Sequence, residues 1–355
     1  MVIKINALDT LFFKDGKPFS MGDEAWATGN FPPYPSVIYG ALRTAFFADN
    51  INLLNLANTE NDPTKELKIN KILFLIDKEY YTPIPRDLVK KKSNNEESFP
   101  LELSKNDFIN SSESEYLLTN PSNDEIENID DGIIRLKDLH NYLSATKFDK
   151  ILYTKISDYI TEEPKVGIGR ENVYRTTASN SKIYNINMIR PVKINKGSKP
   201  VSIDLIVDFE NLDLPANGIF KLGAEGKTIH YETHIIKNSN SINYTITNNK
   251  IIKLYLNTPA IFEKGFKPNF ESSLLKKFGF KLLATSIGKP INIGGFDMKK
   301  NKPKTMYKAV PFGSVYYVSS DVNDSEIANE LNGKSISDYR GNEGFGIVYI
   351  GGYNG

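Results

Sequence analysis

The chain has 355 residues, 40% hydrophobic and 11% aromatic, which is enough apolar material for two domains with shared or abutting cores. It contains no cysteine, which excludes a disulfide scaffold and any Cys-ligated metal, and no apolar run of the ~18 residues that crosses a membrane. The net charge of +1 conceals an asymmetry: residues 93–131 hold eleven acids against Lys105 alone, a local −10, so the remainder carries +11 and suits a polyanionic partner.

From the N-terminus, residues 2–8 ("VIKINAL") alternate apolar and polar and read as a strand, not as the unbroken apolar core of a signal peptide. The expectation is a soluble, cytoplasmic protein. A Gly-rich loop follows, then "NFPPYPSVIYGALRTAFF" (30–47), in which Ser36 can cap a helix with Val37, Ile38, Ala41, Leu42, Ala45 and Phe46 at helical spacing. Gly40 leaves its first turn bare, and Arg43 lies one turn beyond Tyr39, so the two can share a face. Residues 71–85 read as a strand stopped by prolines. The acidic, Ser- and Asn-rich segment at about 90–135 reads as a mobile insertion, closed by a helix near 135–150.

Residues 163–192 look like two strands joined by a Gly-rich polar bend, and 201–209 and 218–236 like two more. The Asn- and Ser-rich stretch 237–250 marks a boundary, dividing the chain into 1–247 and 248–355. Beyond it the order is strand (251–262), helix (270–280), strands (281–288 and 313–320), helix (324–331) and strand (344–352). That βαββαβ order predicts an α+β protein whose C-terminal part is ferredoxin-like, as in RNA-recognition modules, and residues 2–236 read as an interrupted version of the same order.

Two Gly-rich loops carry cations. "KVGIGR" sets Gly167 and Gly169 between Lys165 and Arg170, with Arg175 following; it reads either as a phosphate-tracking turn or as a plain hairpin bend. Residues 289–308 hold Lys289, Lys299, Lys300, Lys302, Lys304 and Lys308 against Asp297, after Gly294 and Gly295, with Phe296 and Tyr307 interleaved. Such a mixture can hold an RNA backbone and stack a base, or be a solvated lysine loop. Lysine outnumbers arginine 37 to 7, so each arginine is the more informative residue.

His230, Glu232 and His234 in "HYETH" share one face of a strand and could hold zinc or iron, but alternation with Ile229, Tyr231, Thr233 and Ile235 more simply puts them toward solvent. No P-loop, G-x-S-x-G or H-E-x-x-H string occurs, and none of the three histidines precedes His140. The expectation is a binder with no catalytic residues, no metal and no cofactor.

Seven strings occur together and in order: "ALDTLFFKDGKPF", "FPPYPSVIYGALRTA", "VGIGRE", "LGAEGK", "LNTPAIFEKGFKP", "IGGFD…VPFGSVYY" and "EGFGIVYIGG". In this the chain resembles the family of the third subunit of the Cmr effector complex of type III-B CRISPR systems, in the Cas5-like group of the RAMP superfamily. The resemblance runs from residue 2 to the end, apart from the acidic insertion. It implies two ferredoxin-like domains and a non-catalytic subunit that binds the 5′ repeat-derived handle of the CRISPR RNA. The implied protein partners are the large cyclase-like subunit and the backbone RAMP subunit.

The contacts it implies are Arg43 on the helix, Gly167, Gly169 and Arg170 in "VGIGR", the turn with Gly223, Gly226 and Lys227, and Gly294, Gly295 and Phe296 in "IGGFD"; the residues' own charge and spacing add Tyr39, Lys165, Arg175, Lys299, Lys304 and Lys308 as candidate RNA contacts. Where the family shows two glycines and an arginine, this chain has Ala224 and Lys227, which keeps a charge but loses a forked donor. Two rival readings remain: an RNA-cleaving relative within the superfamily, and a scaffold that touches only proteins.

Overall fold

The computed structural model describes residues 1–14, 26–93, 96–105, 116–144, 150–168, 183–193, 200–236, 250–297 and 302–353. It is a mixed α/β protein built mostly of strands, with three α-helices among the described residues.

The larger sheet contains β1 (Val2–Ala7), β2 (Lys68–Ile76), β3 (Glu79–Pro83), β4 (Gly132–Arg135), β5 (Thr154–Lys155), β6 (Asp204–Glu210), β7 (Asn217–Lys221) and β8 (Thr228–Thr233). Its spatial order is β5-β4-β3-β2-β6-β1-β8-β7. The second sheet has β9 (Ile251–Leu256), β10 (Lys281–Ser286), β11 (Val315–Ser319) and β12 (Val348–Gly352), in the order β10-β11-β9-β12, with every pairing antiparallel. In the second sheet the first strand, β9, lies between the third and fourth, β11 and β12, with β10 outside β11; in the larger sheet β1 likewise lies between β6 and β8, with β2 outside β6.

Burial explains how these sheets stack. In β6, Leu205, Val207 and Phe209 join the cluster under helix α1 (Pro35–Asp49), while Ile206 points the other way into a cluster with Tyr255, Val315, Tyr317 and Tyr349 of the second sheet. Period-two alternation with both faces apolar is what a strand between two layers requires. Helix α3 (Asp324–Leu331) then covers the far face of the second sheet through Ile327, Ala328 and Leu331. The layers run helix, sheet, sheet, helix, with helix α2 (Leu136–Leu143) packing Leu139 and Tyr142 into the middle cluster.

Polar groups also cross between the sheets. The Asn257 amide donates to the Ile72 carbonyl at 3.0 Å, and its Oδ1 accepts from buried Thr82 at 2.5 Å. Tyr255 donates to the Pro83 carbonyl at 2.6 Å. The Asp87 carboxylate accepts from Tyr142 at 2.6 Å and Tyr317 at 2.5 Å, and the Lys253 ammonium lies 4.1 Å from the Tyr142 ring centroid.

Several sequence expectations need correction. Ser36 does not cap α1: the helix begins at Pro35 and its N-cap is Tyr34, because proline at the first helical position has no N–H to be orphaned and arrives with a helical φ. Phe47 takes the buried place assigned to Phe46, which is half-buried along with Val37. The strand expected over 71–85 is the hairpin β2–β3, turned by Asp77 and Lys78 at φ 47° and 69°. The strand expected over 218–236 is likewise a hairpin, β7–β8, turned at Gly223, Glu225 and Gly226, all at positive φ.

The helix expected over 270–280 is a series of turns ending in a short 3-10 helix, Lys276–Phe278, stopped by Gly279 at φ 58°. Its apolar spacing serves packing instead, since Leu275, Phe278 and Phe280 bury against the second sheet. Within the acidic segment, strands form at Leu88–Lys91, Glu97–Pro100, Glu102–Lys105, Tyr116–Thr119 and Ile126–Asn128, and residues 94–95 and 106–115 lie outside the described residues. Local lysines neutralise its acids (Lys90–Glu127 2.9 Å, Lys91–Asp124 2.6 Å, Lys92–Glu125 3.0 Å), and Leu103, Tyr116 and Leu118 pack on the middle cluster.

Candidate nucleic-acid interface

The basic stretch after residue 288 is a pair of short hairpins on a buried root. Ile291–Ile293 pairs with Tyr307–Ala309, and Ile293 and Ala309 bury with Ile261 and Phe345. Phe296–Asp297 pairs with Lys302–Pro303 further out, and the Gly295 carbonyl, at φ 151°, accepts the Lys304 N–H at 2.9 Å. The backbone thus turns Lys289, Lys302, Lys304 and Lys308 into solvent, and none of the four has an ion pair among the described residues. Gly294 is confined by the end of Met306, whose side chain is 50% exposed. Of Phe296 only the backbone is described, and Lys299 lies outside the described residues.

The "PPYP" lead-in to α1 docks on this root. Tyr34, like Ile291 and Tyr307, packs on the buried cluster that includes Phe345, and Pro35 and Ile69 flank Gly344, which sits at φ 94°. Next to Gly344, the short helix Gly341–Glu343 carries a half-buried carboxyl. Burial raises the Glu343 carboxyl above its usual range, against the opposing pull of Arg340, Lys304 and Arg43. Those three cations converge from both sheets' helices and loops, so the N-terminal helix and the C-terminal hairpins form one neighbourhood. Arg340 holds Glu343 at 3.9 Å and lies 5.5 Å from the Tyr307 ring centroid; Tyr307 and Tyr339 stack at 5.3 Å with planes 33° apart.

Arg43 has a job inside the chain. Its Nε donates to Thr64 at 2.7 Å, and one terminal nitrogen reaches Asp62 at 2.5 Å and Asn58 at 3.1 Å. Asp62 keeps its carboxyl below the usual range despite the cost of burial, through bonds from Thr64 and the Asn58 and Thr64 N–H groups, with Arg43 adding attraction. Arg43 therefore pins the loop after α1, with Tyr39 beneath it 5.9 Å from the guanidinium. Gly40 is exposed, and apart from its own helical backbone and its two neighbours no atom lies within 4 Å of the place a Cβ would occupy.

At the other glycine loop the cations are also engaged. Lys165, on the strand Thr161–Ile168, pairs with Glu225 at 3.2 Å, and Lys227 with Asp9 at 2.5 Å. Arg190 bonds Glu163 and lies 3.5 Å from Asp9. The Lys227 bond holds the Asp9 carboxyl below its usual range, as the Arg190 bond does for Glu163. Gly223 is obligatory: at φ 84° a Cβ would stand 2.5 Å from the Phe12 carbonyl, whereas Gly226 faces open space. Gly167 is on the strand, half-exposed; Gly169, Arg170 and Arg175 lie outside the described residues.

Within "HYETH", His230 and Glu232 lie opposite the buried Ile229 and Tyr231, as alternation requires, although Ile235, expected on the apolar face, is exposed past the strand end. Glu232 pairs with Lys4 at 2.6 Å, and His234 Nε2 lies 2.7 Å from the Tyr80 hydroxyl. No group of three or more metal-binding side chains is present among the described residues.

The structure therefore brings Arg43 and Lys304 into one region around Glu343, puts Lys308 on the outer face of its strand, and leaves Lys165, Gly223, Gly226 and Lys227 in another ion-pair network. Sequence reading missed Tyr34, Tyr339, Arg340 and Glu343. The available signal was a Tyr-Arg pair entering the glycine-rich run "GNEGFG".

The family described as CRISPR-associated protein (Cas_Cmr3) matches residues 3–352. No curated protein matches the chain. Among solved structures, a chain of "Cryo-EM structure of the Type III-B Cmr-beta bound to cognate target RNA and AMPPnP, state 1" is similar in fold, with a TM-score of 0.50 at 16% identity over 89% of this chain and 86% of that one. A chain of the same assembly bound to cognate target RNA alone gives 0.49 at 17% identity, over 89% and 86% of the two chains. With the match extending over nearly every residue, the chain belongs to the CRISPR-associated protein family Cas_Cmr3.

Proposed function

We propose that the chain is a non-catalytic subunit of a type III-B CRISPR effector complex. In it the chain binds the 5′ repeat-derived handle of the CRISPR RNA and docks the large cyclase-like subunit next to a backbone RAMP subunit. Family membership and the fold shared with a chain of an RNA-bound type III-B assembly support this reading. So does the strand order common to both sheets, which we read as two ferredoxin-like units, the first crossover of the second unit having lost its helix.

The observation that carries it is the contrast among the cations. Lys302, Lys304 and Lys308 face solvent and none of them forms an ion pair among the described residues, whereas Lys165, Lys227 and Arg190 are already paired. Unpaired cations above a rigid root are what a phosphate backbone recruits. None of His140, His230 and His234 is on these hairpins, so they offer no imidazole for acid–base work on a bound strand.

The test is fluorescence anisotropy with a labelled handle RNA at several salt concentrations, comparing the chain with its K302Q/K304Q/K308Q variant. Each lost phosphate contact lowers the salt slope by about 0.7 on single strands, so the triple variant should bind weakly with a slope smaller by up to about 2. Unchanged affinity and slope would remove the hairpins from the interface.

A further inference from the structure

The hairpin root carries a feature that charge does not explain. Tyr339 is 39% exposed and stacks on Tyr307, and the Arg340 guanidinium, 16% exposed, lies on the same ring at 5.5 Å. Arg340 adopts φ 58°, a conformation that residues with a Cβ rarely take and that persists where the surroundings impose it. Its side chain is fixed by Glu343, and Tyr307 by the hairpin pairing and by packing on the buried cluster of Ile261, Ile293, Ala309 and Phe345. A guanidinium and two rings held in this way end in one solvent-facing aromatic side chain, with Met306 half-exposed on the same hairpin and Lys304 and Lys308 on either side of Tyr307 in sequence.

We propose that Tyr339, backed by Tyr307 and Arg340, is a stacking platform for one unpaired nucleobase of a bound single-stranded RNA, with Lys304 holding a phosphate next to it. The proposal rests on the RNA-binding reading above and adds to it a site that joins Tyr307 to Tyr339, 32 positions away. An aromatic face offers attraction to any base, so the platform fixes where a base is held while leaving its identity to other contacts. The unpaired lysines favour a polyanion over a protein side chain as the occupant.

The experiment uses the full chain and handle RNAs in which 2-aminopurine replaces each purine in turn. Y339A should weaken binding about tenfold, leave the salt slope unchanged because no phosphate contact is lost, and restore fluorescence at one position of the RNA only. Y339F and Y339W keep a π face and should bind as the parent does, which separates stacking from a loss of folding. If Y339A binds as tightly as the parent while the triple lysine variant is weakened, the platform is wrong and the RNA reading stands. If the parent chain does not bind the handle, the underlying reading fails and the platform with it. If Y339A keeps its RNA affinity but loses capture of a neighbouring protein subunit, the surface is a protein-docking site and the proposal is overturned.

Discussion

Replacing Asp87 by alanine should be among the most damaging single changes in this protein, although Asp87 is remote from the basic hairpins in sequence. Its side chain is fully buried and accepts two tyrosine hydroxyls, Tyr142 from α2 and Tyr317 from the second sheet. Hydrogen bonds to a charged group contribute about 1.5–3 kcal/mol each, and the alanine would leave both hydroxyls unpaired. It would also strip Lys253 of the anion that offsets the burial of its ammonium, which lies among the rings of Tyr142, Tyr317 and Tyr353. Breaking a buried charge arrangement from one side typically costs about 3–5 kcal/mol, and that is the loss expected for D87A.

D87N keeps an oxygen for both hydroxyls and should lose roughly half as much. Urea unfolding supplies the numbers, with Y142F and Y317F completing a double-mutant cycle in which the two losses are not additive. A D87A midpoint within about 0.5 kcal/mol of the parent, with additive tyrosine variants, would refute the claim that this network joins the two sheets.

Three further outcomes follow from the geometry. Burial, reinforced by Lys4 and opposed by Glu232, holds His234 below its usual pKa of about 6.5. The unfolded chain then takes up the proton first, so stability falls as pH drops through that value, and H234Q should flatten the melting temperature between about pH 7.5 and 5.5. G223A should cost more than the ~1–2 kcal/mol of a left-handed residue because its Cβ meets the Phe12 carbonyl, whereas G226A, in open space, should cost only that. R43K should destabilise by about 1–2 kcal/mol through the lost fork to Asp62, Thr64 and Asn58, with handle affinity changed less than about twofold. A stable R43K that no longer binds RNA would make this arginine a direct contact.

What was legible in the sequence was local. Alternation in "VIKINA" and helical spacing of Ile38, Ala41, Leu42 and Ala45 follow from burial on one side of one element, and both elements form there. The stretch 270–280 misled because Leu275, Phe278 and Phe280 satisfy the core from successive turns as well as from a helix. The strands of the acidic segment were hard to read for a different reason: its net charge resembles that of a disordered tract, yet Glu127 and Asp124 pair with lysines brought alongside by strand pairing.

The cations divide in the same way. Nothing near Lys227 in sequence announces Asp9, 218 residues away, as its partner, and Lys165 meets Glu225 only because two hairpins approach. Glycines at positive φ could be anticipated at the 223–226 turn, but a tyrosine pair assembled from residues 307 and 339 could not.

The central claim, that the unpaired face of the C-terminal hairpins holds the handle of the CRISPR RNA, is tested most directly by photo-crosslinking and peptide mapping of the assembled complex with 4-thiouridine placed in the handle. The account predicts adducts within residues 302–309 and at Tyr339. Adducts confined to other segments, with none in those residues, would contradict it.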